Sequence, residues 1–68
     1  MSQIMLKLNY EREARGWTIR EFAEKSGVTE VSMSRYISGA RRPNIDTIEN
    51  MVKALGMKIE LKKKVSHI

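Results

Sequence analysis

Apolar residues recur along the chain in segments of about ten residues, and glycine or proline separates each segment from the next. The breaks fall at Gly16, Gly27, Gly39, Pro43 and Gly56. Within the segments the apolar positions follow a helical period of 3.6 residues instead of strict alternation. This pattern predicts a small helical bundle.

The clearest helix start is at Thr18. Its hydroxyl can accept from the backbone of Glu21, and the Glu21 carboxylate can accept from the backbone of Thr18, which is the arrangement of a capping box. Trp17 and Phe22 flank this box as an apolar pair. Gly27 can take the left-handed conformation that ends a helix, so we predict a helix from Thr18 to Gly27.

Two further helices start in the same way. Thr29 caps the first, with Val28 and Met33 as its apolar pair, and Asn44 caps the second, which Gly56 ends. The apolar face of that last helix is formed by Ile45, Ile48, Met51, Val52 and Leu55.

The helix predicted for Gln3 to Arg15 carries two apolar stripes. Ile4, Met5 and Leu8 form one stripe, and Leu6, Tyr10 and Ala14 form the other. Only one stripe can enter the core, so the second requires a separate role.

After Gly56 the pattern changes to a two-residue alternation. Met57, Ile59 and Leu61 alternate with charged residues, which predicts a short C-terminal β-strand. Because this strand has no partner in its own chain, we expect 1–56 to be the folded domain and 57–68, a strand with a basic tail, to be a dimerisation element with Met57, Ile59 and Leu61 in the dimer interface. The alternative is a disordered basic tail, because three lysines follow Leu61 directly.

Length and composition narrow the classes of protein. With 68 residues and no cysteine, the chain is expected to be one domain without disulfides or thiolate metal sites. It has no apolar run long enough for a membrane span or a signal peptide, so we expect a soluble, cytoplasmic protein. The net charge of +5 favours a polyanionic partner, although a basic surface that only aids solubility would give the same sum.

The helices that begin at Thr18 and Thr29 are short and are joined by one turn at Gly27, which is typical of a helix-turn-helix unit. Small Ala23 lies where two such helices would approach. The segment TIREFAEKSGVTEVSMSRYISG carries most of a resemblance to the phage repressor and Cro type (XRE-like) of helix-turn-helix family, which extends over about Leu8 to Leu55.

The resemblance implies an all-α, compact lambda-repressor-like domain of four to five helices. It also implies that the helix from Thr29 to Ser38 reads double-stranded DNA in the major groove.

Helical geometry independently places five residues of this helix on one face: Glu30, Val31, Ser34, Arg35 and Ser38. Four of them are expected to contact bases. Arg35 can pair with guanine, Glu30 can accept from cytosine, Ser34 can do either, and Val31 can touch a thymine methyl group. The alternative for Glu30 and Arg35 is an ordinary solvated helix face.

Phosphate contacts are expected from the starts of the two helices and from the loop that follows the reading helix. The predicted residues are Thr18, Arg20, Thr29, Ser38, Arg41 and Arg42. Arg41 and Arg42 also suit a second role, in which their charges complement the C-terminal dipole of the reading helix.

The chain departs from the family pattern at three positions. Ile19 stands where relatives often carry Gln, Ile37 where they carry an acidic residue, and Ser26 where they carry an apolar one. Without the acidic residue, Arg12 must pair with Glu21 or with another group.

Nothing in the sequence favours an enzyme, a cofactor or a metal site. The single histidine, His67, is the penultimate residue, and the glutamates are spaced like surface ion pairs. We therefore predict a DNA-binding transcriptional regulator, a repressor that binds a palindromic operator as a homodimer. Two alternatives stay open: an antitoxin that binds a toxin protein and represses its own operon, and a protein that binds nucleic acid through charge without sequence preference.

Overall fold

The computed structural model describes residues 3–59 and shows four α-helices in that range. Helix α1 covers Gln3–Ala14, α2 Ile19–Ser26, α3 Glu30–Ser38 and α4 Ile45–Ala54. The predicted helical class is confirmed for these residues, and the predicted helix ends agree with the observed ones to within one or two positions.

The predicted C-terminal strand is not found within residues 3–59. Met57, Lys58 and Ile59 follow α4 in no regular secondary structure, and Leu61 lies outside the described residues. The strand, and with it the boundary at Gly56, therefore remains a prediction.

The start of α2 is the predicted capping box. The Thr18 hydroxyl accepts from the Glu21 backbone N–H at 3.0 Å, and the Glu21 carboxylate accepts from the Thr18 N–H at 3.1 Å. The rings of Trp17 and Phe22 lie 6.2 Å apart and close the start of the helix. Gly27 ends it in the left-handed conformation with φ of 71°.

Helices α3 and α4 are capped as predicted. The Thr29 hydroxyl accepts from the Ser32 N–H at 3.1 Å, and the Asn44 side chain accepts from the Thr47 N–H at 2.8 Å. Each cap satisfies a backbone donor that the first turn of a helix leaves without a partner. The reading helix therefore has a defined first residue.

The core lies where α2 packs against α3 and α4, with α1 against α3. Its most deeply buried large side chains are Phe22 and the methionines Met5, Met33 and Met51. Around them lie Leu8, Ala23, Tyr36, Val52 and Leu55, all buried as well. Because α2 and α3 share this core, their relative orientation is fixed by close packing.

The predicted apolar face of α4 is wrong at one residue, and the structure shows which of the two apolar stripes of α1 enters the core. Ile45, assigned to the apolar face of α4, is 61% exposed, because it is the first residue of the helix and precedes the turns that reach the core. In α1, Met5 and Leu8 enter the core, whereas Leu6 and Tyr10 are 55% and 69% exposed. The second stripe of α1 therefore faces away from the bundle.

Arg12, in the last turn of α1, and Arg15, one residue beyond its end, each donate to a backbone carbonyl outside the helix. Arg12 donates to the Trp17 carbonyl at 2.6 Å and to the Asn9 side chain at 2.9 Å, and so its main partner is a backbone carbonyl. Glu21, the named alternative for Arg12, is engaged in the capping box. Arg15 donates to the Leu55 carbonyl at 2.8 Å and ties α1 to the end of α4.

Candidate nucleic-acid interface

One face of α3 is exposed along its whole length. Glu30, Val31, Ser34 and Arg35 are all exposed and line one shallow depression, with Val31 at 61% exposure. On the opposite face, Met33 and Tyr36 are buried, and Ser32 and Ile37 are half-buried. The division between an exposed face and a packing face is the one that the helical period predicted.

The two charged groups on this face are free of partners within residues 3–59. Neither the Arg35 guanidinium nor the Glu30 carboxylate forms an ion pair there, whereas Arg12, Arg15 and Arg20 all do. A nine-residue helix is about 14 Å long, and a helix of this width fits the major groove of B-DNA. The exposed face can therefore present a cationic and an anionic group to base edges at the same time.

The first turn of α2 carries the predicted phosphate contacts Thr18 and Arg20. Within the capping box the Thr18 oxygen acts as an acceptor, which leaves its hydroxyl hydrogen to donate to a phosphate oxygen. Arg20 is exposed and lies 3.5 Å from the Glu24 carboxylate. An exposed pair at this distance is weak, so the guanidinium can be diverted to a phosphate.

The same turn also carries a negative charge. Hydrogen bonds from the Thr18 backbone and side chain lower the pKa of Glu21 from its ordinary value of 4.5. Glu21 is therefore ionised at neutral pH, and its negative charge offsets part of the positive end of the helix dipole that would attract a phosphate. The site left for a phosphate consists of the Ile19 and Arg20 amides and the Thr18 hydroxyl.

Thr29, the third predicted phosphate contact, is more fully engaged than Thr18. Its hydroxyl donates to the Ser32 side chain at 2.9 Å while accepting from the Ser32 backbone. Ser32 is half-buried, and its hydroxyl keeps its own hydrogen at the start of α3. Ser32 is therefore the better donor at this end of the reading helix, and its position three residues after the cap is the signal that could have identified it.

The loop after α3 holds the remaining predicted contacts. Ser38 donates to the Arg35 carbonyl at 3.1 Å and accepts from the Ala40 N–H at 3.4 Å, so it serves to close the helix end. The Arg41 guanidinium lies 5.9 Å from the centre of the Tyr36 ring, a cation–π contact. Arg42 is exposed and forms no ion pair within residues 3–59, which makes it the freest cation of the loop.

The part of the chain that the structure describes has neither a cluster of metal ligands nor a membrane-spanning helix. No three His, Cys, Asp or Glu side chains there are grouped as metal ligands. None of the four helices combines the length and the apolar character needed to cross a membrane.

The arrangement of α2 and α3, with a left-handed glycine between them and one exposed polar face, defines a helix-turn-helix domain. Residues 8–62 match the model of the helix-turn-helix family, and the chain belongs to this family in its XRE-like, phage repressor and Cro form. The family consists of DNA-binding transcriptional regulators and is not a family of enzymes. No curated protein and no solved structure matched the chain.

Proposed function

We propose that the chain is a sequence-specific repressor that binds a palindromic DNA operator as a homodimer. The observation that carries this proposal is the exposed face of α3, on which Glu30 and Arg35 have no ion-pair partner among residues 3–59. The packed core holds α3 in place, and its exposed face offers one hydrogen-bond donor group and one acceptor group. The major groove of DNA presents donors and acceptors on the base edges, so it can bind both groups.

Each residue of the face has a specific chemical role in this proposal. Arg35 donates two hydrogen bonds to guanine O6 and N7, and Glu30 accepts from cytosine N4. Ser34 can donate or accept, and Val31 contacts a thymine methyl group. The half-site should therefore contain at least one G·C pair.

The phosphate contacts set the register of α3 in the groove. Thr18 and Arg20 lie at the start of α2 on one side of the reading helix, and Arg41 and Arg42 lie beyond its C-terminus. A helix clamped at both ends cannot slide along the groove, and so the same residues always meet the same bases.

The length of the reading helix supports a dimer. A helix of nine residues, about 14 Å long, spans roughly four base pairs, too few to define one site in a genome. Two copies related by a two-fold axis double the sequence that is read and make the site palindromic. Repression needs only that the bound dimer occupies its operator.

The proposal is tested by selecting bound sequences from random duplex DNA. We expect an enriched motif with two-fold symmetry and half-sites about one helical turn apart. A single half-site would argue against the homodimer. Binding without any enriched motif would instead support charge-driven, non-specific binding.

A second candidate function is that of an antitoxin that binds a toxin protein and represses its own operon. The exposed Leu6 and Tyr10 on α1 favour it, because they offer an apolar stripe to a protein partner. Co-expression with the product of the neighbouring gene would test it. The neighbouring product should stop growth when expressed alone, and the Leu6→Asp variant should lose protection while it keeps DNA binding.

A further inference from the structure

We infer that Tyr36 is a positioning residue for DNA binding, because its ring holds the Arg41 guanidinium in place before DNA binds. Arg41 can then meet a phosphate without first having to be ordered. The inference rests on the proposed function, in which Arg41 is a phosphate contact. It assigns a role in binding to a side chain that is buried in the core.

The loop after α3 folds back onto the last turn of that helix. Gly39 takes the left-handed conformation with φ of 85°, and its N–H donates to the Tyr36 carbonyl at 3.3 Å. The Arg41 N–H then donates to the Arg35 carbonyl at 3.3 Å, six residues earlier. The backbone of Arg41 is therefore fixed beside the helix end, next to the residue that carries the ring.

The side chain of Arg41 is held as well as its backbone. Its guanidinium lies 5.9 Å from the centre of the Tyr36 ring, within the distance of a cation–π contact. Arg41 is exposed and forms no ion pair within residues 3–59, so no carboxylate there competes with a phosphate for it. An arginine that stacks on a ring can still donate from the N–H groups at its planar edge. The contact thus orders the guanidinium and keeps it available.

Tyr36 suits this role because its ring is part of the core. The residue is 7% exposed and belongs to the cluster of buried side chains that joins the helices. Close packing immobilises such a ring, so a guanidinium that rests on it is held in one place. Tyr10 on α1 is the contrasting case, since a ring that is 69% exposed is not fixed by packing.

A cation that is already ordered binds a phosphate at a lower entropic cost than a mobile one. Immobilising a long, flexible side chain on binding lowers the affinity, and an arginine held in its bound position avoids that loss. Arg42 is exposed in the same loop and makes no cation–π contact within residues 3–59. The two neighbouring arginines should therefore differ in mobility in the free protein.

The first test measures this mobility in the full chain without DNA. NMR relaxation of the side-chain Nε–H groups reports how far each guanidinium is restricted. We expect the Nε–H of Arg41 to be more restricted than that of Arg42, and the side-chain protons of Arg41 to be shifted upfield by the Tyr36 ring. Both signatures should persist in Tyr36→Phe, which keeps the ring, and disappear in Tyr36→Leu.

The second test measures affinity for the operator selected from random DNA. Tyr36→Leu should weaken binding about three- to tenfold per protomer, the effect of having to order one flexible side chain, whereas Tyr36→Phe should retain the affinity. In the Arg41→Ala background Tyr36→Leu should cause no further loss, because the side chain that it positions is gone. Arg42→Ala is the matched control background, in which the loss caused by Tyr36→Leu should remain in full.

The salt dependence distinguishes a positioning role from the loss of a contact. Tyr36→Leu leaves the charge of Arg41 in place, so the slope of log K against log salt should keep its wild-type value while the affinity falls. Arg41→Ala removes the charge and should make the slope shallower by up to about two per dimer.

The inference fails if Tyr36→Leu weakens operator binding equally with and without Arg41, since Tyr36 would then act only through the core. It fails equally if Tyr36→Phe weakens binding as much as Tyr36→Leu, or if Arg41 is as mobile as Arg42. Helical circular dichroism establishes that each variant is folded. Should Tyr36→Leu not fold, the NMR comparison of the two arginines in the wild type decides.

The two tests also separate this inference from the proposed function. A palindromic operator bound by a protein whose Arg41 is as mobile as Arg42 would keep the proposed function and remove the role of Tyr36. A restricted Arg41 in a protein without any DNA preference would keep the contact with the ring and remove the proposed function.

Discussion

Arg35 and Arg42 are both exposed arginines near the end of α3, but they face different parts of a bound duplex. Arg35 lies on the face with Glu30 and Ser34, whereas Arg42 lies in the following loop, four residues beyond the last residue of the helix. The first position suits base recognition and the second suits a phosphate contact. A comparison of the two arginines can therefore distinguish base recognition from attraction between charges that does not depend on sequence.

We expect Arg35→Ala to weaken binding to the preferred operator by about 1 to 3 kcal/mol and to relax the preference at one base pair of each half-site. Arg42→Ala is the matched control, because it removes the same charge but should weaken operator and random DNA alike. Competition titrations with both DNAs measure the difference. If Arg35→Ala lowers both affinities by one common factor, Arg35 does not read a base.

Ser26 is the one buried polar side chain of the described core. It is 2% exposed, and its hydroxyl has no hydrogen-bond partner within residues 3–59. Such a group loses its contact with water without regaining a bond, which costs about 1 to 3 kcal/mol.

We therefore expect Ser26→Ala to raise the free energy of unfolding by about 1 kcal/mol or more, measured by urea denaturation. Ser34→Ala is the control, since Ser34 is exposed in the interior of α3 and its replacement changes helix propensity alone. Equal effects of the two substitutions would show that the Ser26 hydroxyl is satisfied in solution.

At the scale of the element, the start of α2 combines stability with ligand chemistry. The capping box uses the Glu21 carboxylate to satisfy the Thr18 N–H, and the same bonds lower the pKa of Glu21. A carboxylate with a lowered pKa in the folded state stabilises the fold above its ordinary pKa of 4.5 and loses that contribution as the pH falls through the folded value.

Glu21→Gln should reduce the fall in stability between pH 6 and pH 3, because Gln keeps an acceptor for the Thr18 N–H without titrating. Glu24→Gln, one turn later and outside the cap, should leave most of that fall in place. Urea denaturation at several pH values measures both. An unchanged pH profile in Glu21→Gln would mean that the cap does not depend on the carboxylate charge.

The helix ends could be predicted because their chemistry is local. The caps at Thr18, Thr29 and Asn44 each close a hydrogen bond to a residue three positions later, so a short window of sequence contains both partners. The exposed face of α3 follows from helical periodicity for the same reason. The bond between the Thr29 and Ser32 hydroxyls depends on side-chain rotamers, about which the residue order says nothing.

At the scale of the whole molecule, some contacts lie beyond any local pattern. Arg15 bonds to the Leu55 carbonyl across 40 positions, and this pairing requires the complete fold. Arg12 was expected to pair with Glu21 or with another group, and its shortest hydrogen bond is to the Trp17 carbonyl, five residues later. The Arg15 bond ties the end of α1 to the end of α4, and no sequence spacing predicts it.

Whole-molecule charge determines how binding responds to salt. If each protomer neutralises two or three phosphates, a dimer releases the counterions of four to six, and log K against log salt should have a slope of about −4 to −5. Arg42→Ala should reduce this slope by up to about two, since each dimer loses two contacts. A slope near zero in filter-binding or anisotropy titrations would contradict the DNA-binding proposal.

The three most deeply buried methionines of the core determine how the protein reacts with oxidants. Met5, Met33 and Met51 are at most 1% exposed, so peroxide can reach their sulfur atoms only in molecules that have opened. A sulfoxide is polar and would not fit back among Phe22 and its neighbours. Oxidation of an opened molecule therefore leaves a polar group in the core until the sulfoxide is reduced, and the rate at which oxidants damage the regulator is limited by how often its fold opens.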